Sequence, residues 1–241
     1  MKIYIGTSGW SYEHWIGNFY PKELERAKWL EFYSENFNTV ELNMSYYRIP
    51  FPNMIKGWYK KIPENFKFTF KASRFITHVK KLKNINKVLK KFYKLTEMME
   101  EKLGCILFQL PPSFKKNQDT LERLKNFLKK LDKTKRNIIE FRHESWWDEE
   151  VYKLMKRHGA GFCVVSGLDM PSKIIVTSKT AYLRFHGPES AYSSKYSDNE
   201  LKLWARKIRN IKAKEIYAYF NNDTRGYAVK NAKKLKEFLK C

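Results

Sequence analysis

Cysteine is scarce in this chain of 241 residues, with three residues and no pairing pattern. Cys105 and Cys163 lie in apolar runs typical of strands, and Cys241 is the last residue. Their spacing matches neither a zinc site nor the disulfide framework of a small secreted protein. We therefore expect reduced cysteines and a cytoplasmic location.

Long apolar runs are absent as well, and no stretch approaches the roughly 18 apolar residues that a membrane span needs. The first strand-like run, Lys2 to Gly6, lacks the basic leader and long apolar stretch of a secretion signal. We expect a soluble protein without a membrane partner.

The glycine pattern of a nucleotide-binding loop is also missing. The segment GTSGWSY, from Gly6 to Tyr12, lacks the spacing of a P-loop or of a dinucleotide-binding fingerprint. No G-x-S-x-G nucleophile elbow occurs either. The sequence therefore assigns no cofactor to the protein.

Acidic residues are few beside the basic ones, 25 against 48, which leaves a formal net charge of +23. Such an excess favours polyanionic partners, DNA or RNA, because binding releases their counterions. The alternative is a lysine-rich solvated surface without such a partner. Neither reading fixes an oligomeric state.

Strand-like and helix-like segments alternate along the whole chain. The eight candidate strands are Lys2 to Gly6, Thr39 to Asn43, Lys67 to Lys71, Cys105 to Leu110, Ile138 to Arg142, Gly161 to Val165, Ala181 to His186 and Glu215 to Asn221. Helical periodicity occupies most of the intervals between them. Eight such units in a chain of this length predict one domain over residues 1–241, a closed parallel TIM-type (β/α)8 barrel.

Local signals refine this prediction at two helices and one interval. Asp119 with Glu122, and Ser197 with Glu200, have the spacing of capping boxes. The interval from Ser166 to Thr180 has little helical periodicity, so we predict that the sixth helix is short or missing.

Polar side chains share one face of several predicted strands, because residues two apart in a strand point the same way. If the apolar face packs against the helices, the polar face lines the barrel and its charges fall near the C-terminal mouth, where TIM-barrel enzymes place their chemistry. The side chains expected there are Glu41, Lys71, Gln109, Glu140, Arg142, Arg184 and His186. Burial costs several kcal/mol per ion, so these charges must pair with one another, as a structural plug, or with a ligand.

The charge balance of this mouth favours an anion. Two carboxylates face three cations, Lys71, Arg142 and Arg184, which leaves one positive charge in excess. Fixed cations repel a divalent metal cluster, so we predict no metal site and expect a phosphate or carboxylate ligand.

A catalytic hypothesis follows from that balance. Arg142 and Arg184 would clamp the anion, and Glu41 or Glu140 would act as the base. His186 would donate a proton, since an unperturbed histidine titrates near neutral pH.

Lys71 is an alternative catalytic group, as an amine nucleophile whose pKa its neighbours lower. An adjacent carboxylate would oppose this by keeping the amine protonated. Further side chains expected to contact the substrate are Asn43, Tyr47, Gln109, His143, Asn221, Asn222 and Trp10. The aromatic rings of these loops either stack on bases or sugars or pack the loops together.

Seven motifs in order resemble those of the YecE-like family, also called domain of unknown function 72. They are GTSGWSY at Gly6 to Tyr12, ELNMSYYRIP at Glu41 to Pro50, KASRFITH at Lys71 to His78, QLPPSF at Gln109 to Phe114, EFRHESW at Glu140 to Trp146, RFHG at Arg184 to Gly187, and YFNND with GYAVKNA at Tyr219 to Ala232. The resemblance spans nearly the whole chain and implies a TIM-type barrel. The reaction of the family is not established, and likeness to the fold of apurinic endonucleases and sugar isomerases is analogy alone.

Three functions are compatible with these observations. The first is an enzyme acting on a phosphate-bearing substrate, nucleic acid included, by hydrolase or lyase chemistry. The second is a small-molecule enzyme acting on a sugar phosphate or carboxylate. The third is a non-catalytic nucleic-acid-binding protein in which the charged cluster only plugs the barrel.

Overall fold

The computed structural model describes residues 1–240 and contains eight parallel strands. They are β1 Lys2–Thr7, β2 Thr39–Leu42, β3 Lys67–Lys71, β4 Leu103–Gln109, β5 Arg136–Glu140, β6 Gly161–Ser166, β7 Thr180–Phe185 and β8 Glu215–Phe220. The strands pair in the order β1-β8-β7-β6-β5-β4-β3-β2, and a bridge between Ser8 and Glu41 brings the two ends together. The predicted TIM-type (β/α)8 fold is confirmed.

Helices fill most intervals between the strands. The α-helices are α1 Trp29–Asn36, α2 Met44–Tyr47, α3 Pro52–Lys61, α4 Asn86–Thr96, α5 Gln118–Lys130, α6 Glu149–Arg157, α7 Asp198–Arg209 and α8 Tyr227–Leu239, with a π-helix at Phe75–Val79. Residues 167–179, between β6 and β7, form no helix, as predicted. None of the helices within residues 1–240 is long and apolar enough to cross a membrane.

The apolar face of the strands packs outward against the helices. Phe68 and Phe70 on β3, Val40 on β2 and Phe141 after β5 are all buried in this layer. The alternation read from the sequence therefore assigns the two faces of the barrel correctly, and the polar face lines the interior.

The interior is layered along the barrel axis. At the N-terminal end Arg136 forms an ion pair with Glu215, with Nε 2.5 Å from Oε2. In the middle layer the Tyr219 hydroxyl lies 2.6 Å from Thr39 Oγ1 and 2.7 Å from Thr69 Oγ1. The charged residues at the C-terminal mouth thus lie above two interior layers that are joined by ion pairs and hydrogen bonds.

Side chains close the seam between β1 and β2. The Asn38 side chain accepts from the Ile5 N–H at 2.9 Å and donates to the Ile3 carbonyl at 2.9 Å. The Tyr33 hydroxyl accepts from the Thr7 N–H, also at 2.9 Å. These bonds satisfy strand-edge groups that a regular ladder would otherwise pair.

Helix capping agrees with the sequence at one of the two predicted sites. Ser197 and Glu200 form the predicted capping box at the start of α7. The box predicted at Asp119 is wrong, because α5 begins earlier, with Asn117 Oδ1 accepting from the Thr120 N–H at 2.9 Å. Both caps satisfy N–H groups that lack partners in the first turn.

Gly6 allows the β1–β2 seam to close, and its replacement should show this. A Cβ built on Gly6 would lie 2.0 Å from the Thr39 carbonyl oxygen, which is backbone and cannot rotate away. Gly6→Ala is expected to lower the free energy of unfolding, measured in urea, by about 1–3 kcal/mol, the usual range for overpacking.

Gly57→Ala is the matched control, because a Cβ at this position in α3 meets no atom within 4 Å. Relief of glycine's entropic disadvantage in a helix should raise stability by about 0.5–1 kcal/mol. Equal stabilities for the two variants would contradict the close approach at the seam.

Candidate functional site

Arg184 joins two carboxylates at the C-terminal mouth. Its Nη2 donates to Glu41 Oε1 at 2.6 Å, and its Nη1 donates to Glu140 Oε2 at 2.7 Å. All three side chains are completely buried. Strands β2, β5 and β7 therefore bring together the acidic and basic groups that the sequence assigned to one end of the barrel.

Further donors complete the surroundings of Glu41. Its Oε1 also accepts from Ser8 Oγ at 2.7 Å, and its Oε2 accepts from the Tyr182 hydroxyl at 2.5 Å. The sequence reasoning omitted both donors from the site. Tyr182 shares the strand face of Arg184, and Ser8 directly continues β1, where it bridges Glu41. Alternation alone could therefore have found both. Asn43 is nearby, with Nδ2 3.4 Å from the Ser8 carbonyl oxygen.

Arg142 neutralises the remaining oxygen of Glu140. Its Nε donates to Glu140 Oε1, and its Nη2 lies 3.3 Å from Gln109 Oε1. Burial disfavours the ionised form of Glu140, but the charges of Arg142 and Arg184 outweigh it and hold the pKa well below its ordinary range. Such a carboxylate is a weak base, so this environment does not support the predicted role of Glu140 as general base.

His186 lies beneath Arg142 and is neutral. Its Nε2 is 3.5 Å from Glu140 Oε1, and its Nδ1 is 3.3 Å from Asn221 Nδ2. Burial, followed by the charge of Arg184, lowers the pKa of His186 to about 3. The role of a protonated donor at neutral pH is therefore not supported for this residue.

Lys71 differs from the two arginines, because its amine has no carboxylate partner. Its Nζ lies 4.4 Å from the centre of the Tyr46 ring, and no carboxylate of residues 1–240 is within 4.0 Å. Burial and the charge of Arg184 lower the pKa of Lys71 to about 8, although Glu41 and Glu140 oppose this shift. At neutral pH the amine of Lys71 is thus mostly protonated, but the pH is close to its pKa.

His78 extends the site on the same side. The π-helix that follows β3 brings its ring edge-on to Tyr46, with centroids 5.1 Å apart. Burial and the charges of Lys71 and Arg74 lower the pKa of His78 to about 4. A π-helix often marks functional positions.

Tyr192 closes the opposite side of the mouth. Arg142 Nη1 donates to its hydroxyl at 3.1 Å, and its ring packs edge-on against His186 at 5.4 Å. The backbone φ of Tyr192 is +66°, which lies in the left-handed region that non-glycine residues rarely adopt. This conformation is set by the folded loop after β7. No signal in the sequence identifies this residue as part of the site.

Two aromatic residues predicted to bind substrate lie outside the charged cluster. Trp10 packs edge-on against Trp58 and Phe68, each at 5.5 Å, in the layer outside the barrel. Tyr47 is 75% exposed, and its ring lies edge-on to Tyr46 with centroids 4.9 Å apart. The loop-packing alternative therefore describes Trp10, and Tyr47 only borders the mouth.

Asn222 and His143 also point away from the cluster. Asn222 is completely buried and donates to the Ser194 carbonyl and to Asn231 Oδ1, both at 2.9 Å. His143 caps the short helix after β5, where its Nδ1 accepts from the Ser145 N–H at 3.2 Å. Each side chain therefore holds a loop, and its predicted contact with the substrate stays a prediction.

The two carboxylates of the mouth are paired with the two arginines. Glu41 and Glu140 are balanced by Arg184 and Arg142, whereas Lys71 has no carboxylate partner within residues 1–240. Within residues 1–240, no three His, Cys, Asp or Glu side chains are grouped so that they could hold a metal ion. The unbalanced cation can attract an anionic group entering from solvent.

Removal of Arg184 tests how far the buried network depends on it. Arg184→Met leaves two buried carboxylates without their shared cation and should lower the free energy of unfolding by about 3–5 kcal/mol. Urea unfolding followed by tryptophan fluorescence measures the loss.

Arg136→Met is the matched control at the other end of the barrel, where the pair with Glu215 is partly exposed. Its loss should be smaller, on the order of 1 kcal/mol. If Arg184→Met proved as stable as this control, the dependence on Arg184 would be refuted.

Comparison with known proteins places this geometry in a family. A family model described as "Protein of unknown function DUF72" matches residues 4–241. UPF0759 protein YunF of Bacillus subtilis (strain 168) is 28% identical, with 98% of this chain and 94% of the relative covered. UPF0759 protein YecE of Escherichia coli (strain K12) is 28% identical over 60% of this chain and 50% of its own length.

Solved structures agree with that match. A DUF72 family protein from Thermotoga maritima MSB8 is 34% identical, with full coverage of both chains and a TM-score of 0.91. A DUF72 family protein from Enterococcus faecalis V583 is 22% identical, with 99% and 96% coverage and a TM-score of 0.86, and supports the fold alone. The chain belongs to the DUF72 family, the YecE-like family that its seven motifs resemble.

Proposed function

We propose that this protein is an enzyme that binds a phosphate-bearing substrate at the C-terminal mouth of its barrel. The observation that carries the proposal is Lys71, a partly buried cation whose amine has no carboxylate partner within residues 1–240. A bound anion would compensate the desolvation of this amine and the repulsion from Arg184. An anion bound at the mouth would therefore stabilise the unpaired positive charge of Lys71.

Arg142 is the second anion ligand in this proposal. Its side chain is 9% exposed, and its Nη2 contacts with Gln109 and His186 are long, both 3.3 Å. A phosphate oxygen would be a better acceptor for this N–H, because charge-assisted bonds are shorter and stronger. Arg184 is completely buried and donates to two carboxylates, so it orders the site without touching the ligand.

Lys71 also carries the chemical step in this proposal, of the hydrolase or lyase class. Glu140 is a weak base, and Glu41 accepts hydrogen bonds from Ser8, Tyr182 and Arg184. Lys71, with a pKa near 8, is the group best matched to proton transfer or nucleophilic attack near neutral pH.

Anion binding is tested with sulfate, which does not titrate between pH 6 and 10. Lys71→Ala and Arg142→Ala should each weaken sulfate binding at least tenfold, since a hydrogen bond to a charged group contributes about 1.5–3 kcal/mol. Isothermal calorimetry measures the affinity, and retained near-UV circular dichroism shows that each variant is folded. Unchanged affinity in both variants would count against the site.

The pH dependence should follow Lys71. Sulfate binds the protonated amine, so affinity should fall as the pH rises through about 8, the pKa of Lys71. The same titration of Lys71→Arg should be flat to pH 10, because arginine stays charged. A parallel decline in both proteins would assign the titration to another group.

A second candidate function, non-catalytic nucleic-acid binding, draws on the net charge of +23. Binding of a single-stranded oligonucleotide should then depend on surface charge in general. Lys71→Ala/Arg142→Ala would weaken it no more than Lys129→Ala/Lys130→Ala, a control with the same charge loss on exposed positions of α5.

The same comparison separates the substrates of an enzyme. A greater loss for the mouth variant indicates that the nucleic-acid phosphate enters the barrel. Binding of ribose 5-phosphate without oligonucleotide binding instead indicates a small-molecule enzyme.

A further inference from the structure

Lys71 is positioned as a nucleophile as well as a charge. Its backbone is fixed at the end of β3, where its carbonyl accepts from Ser45 Oγ at 2.6 Å and the following Ala72 N–H donates to Leu107. Its amine contacts the face of the Tyr46 ring and, within residues 1–240, no acidic group. In this part of the chain, the nitrogen thus has no hydrogen-bonding partner that would compete for its lone pair.

The surroundings of Lys71 make its amine easier to deprotonate than that of an ordinary lysine in the unliganded site. Burial and Arg184 lower its pKa to about 8, and Arg142 acts in the same direction, whereas Glu41 and Glu140 oppose the shift. At neutral pH roughly a tenth of the amine is then uncharged, against less than about a thousandth for an ordinary lysine. Since only the uncharged form attacks a carbonyl carbon, this environment raises the reactivity of Lys71.

We propose that Lys71 forms an imine with an aldehyde or ketone that carries a phosphate group, so that the substrate class of this site is a phosphorylated carbonyl compound. The inference rests on the proposed function, because Arg142 must hold the phosphate while the carbonyl meets the amine. The Tyr46 ring, 4.4 Å from Nζ, and the nearby carboxylates of Glu41 and Glu140 would stabilise the positive charge of the product.

The step balances without a redox partner. The Nζ lone pair forms a bond to the carbonyl carbon, and the carbonyl π electrons move to oxygen. One amine proton passes through solvent at the mouth to that oxygen, which gives a carbinolamine. After a second protonation the hydroxyl leaves as water, and the nitrogen lone pair forms the C=N bond of a protonated imine.

Reductive trapping tests the proposal on the full chain. The protein is incubated with glyceraldehyde 3-phosphate and sodium cyanoborohydride, and peptide mass spectrometry follows the modification of each lysine. Lys71 should be modified at least tenfold faster than Lys67, four residues earlier on the same strand at the other end of the barrel. Sulfate should suppress the reaction of Lys71, and Lys67 should be unaffected.

Lys71→Arg separates this inference from the proposed function. The arginine retains the positive charge, so sulfate should still bind, but it cannot form the trapped imine. In the wild-type protein, sulfate binding together with equal modification of Lys71 and Lys67 would overturn the imine and leave the anion site standing. Equally fast modification by glyceraldehyde, insensitive to sulfate, would also overturn it, because the phosphate would then not direct the reaction.

Discussion

The buried bridge from Glu41 through Arg184 to Glu140 is the interaction on which the mouth of this barrel depends. Three ions without access to water are stable only if their mutual attraction and further hydrogen bonds offset several kcal/mol of desolvation per ion. Ser8 and Tyr182 supply those bonds on the Glu41 side, and Arg142 supplies them on the Glu140 side. The bridge also ties β2, β5 and β7 across the barrel interior.

This bridge makes the mouth asymmetric. On the side of β5 and β7, the guanidinium groups, Glu140 and His186 form a dense hydrogen-bonded network, in which Arg184 Nε has no partner within residues 1–240. On the side of β2 and β3, the amine of Lys71 lies over the Tyr46 ring and has no carboxylate partner within residues 1–240. In the proposed function, an anionic ligand therefore approaches between Lys71 and Arg142, whose Nη2 makes long contacts.

Strand alternation accounts for both the successes and the failures of the sequence-based predictions at the site. Asn221 continues the inward face of β8 and reaches His186, whereas Asn222, one residue later, points the other way and holds a loop. Arg142 and His143 differ in the same way after β5. The predicted strands end at Arg142 and Asn221. A strict period of two, continued one residue past these ends, would have excluded His143 and Asn222.

Loop residues lie beyond what such a period can predict. The eight strands and the inward charges follow from local patterns, but the location of Trp10 depends on tertiary packing against Trp58. Tyr192 enters the site through a backbone with positive φ. These positions are set by contacts distant in sequence, which local propensity does not encode.

The state of Lys71 shows why residue types alone do not determine chemistry. The sequence places two carboxylates on the same face of the sheet, which favours a permanently protonated lysine. A planar guanidinium can donate to two carboxylates at once, and an ammonium has no comparable fork. Arg184 therefore takes both Glu41 and Glu140 as partners, and burial of Lys71, followed by the positive charge of Arg184, opposes protonation of its amine. The competition between one arginine and one lysine for the same acids thus leaves, at the open end of the barrel, an amine whose pKa lies below that of an ordinary lysine.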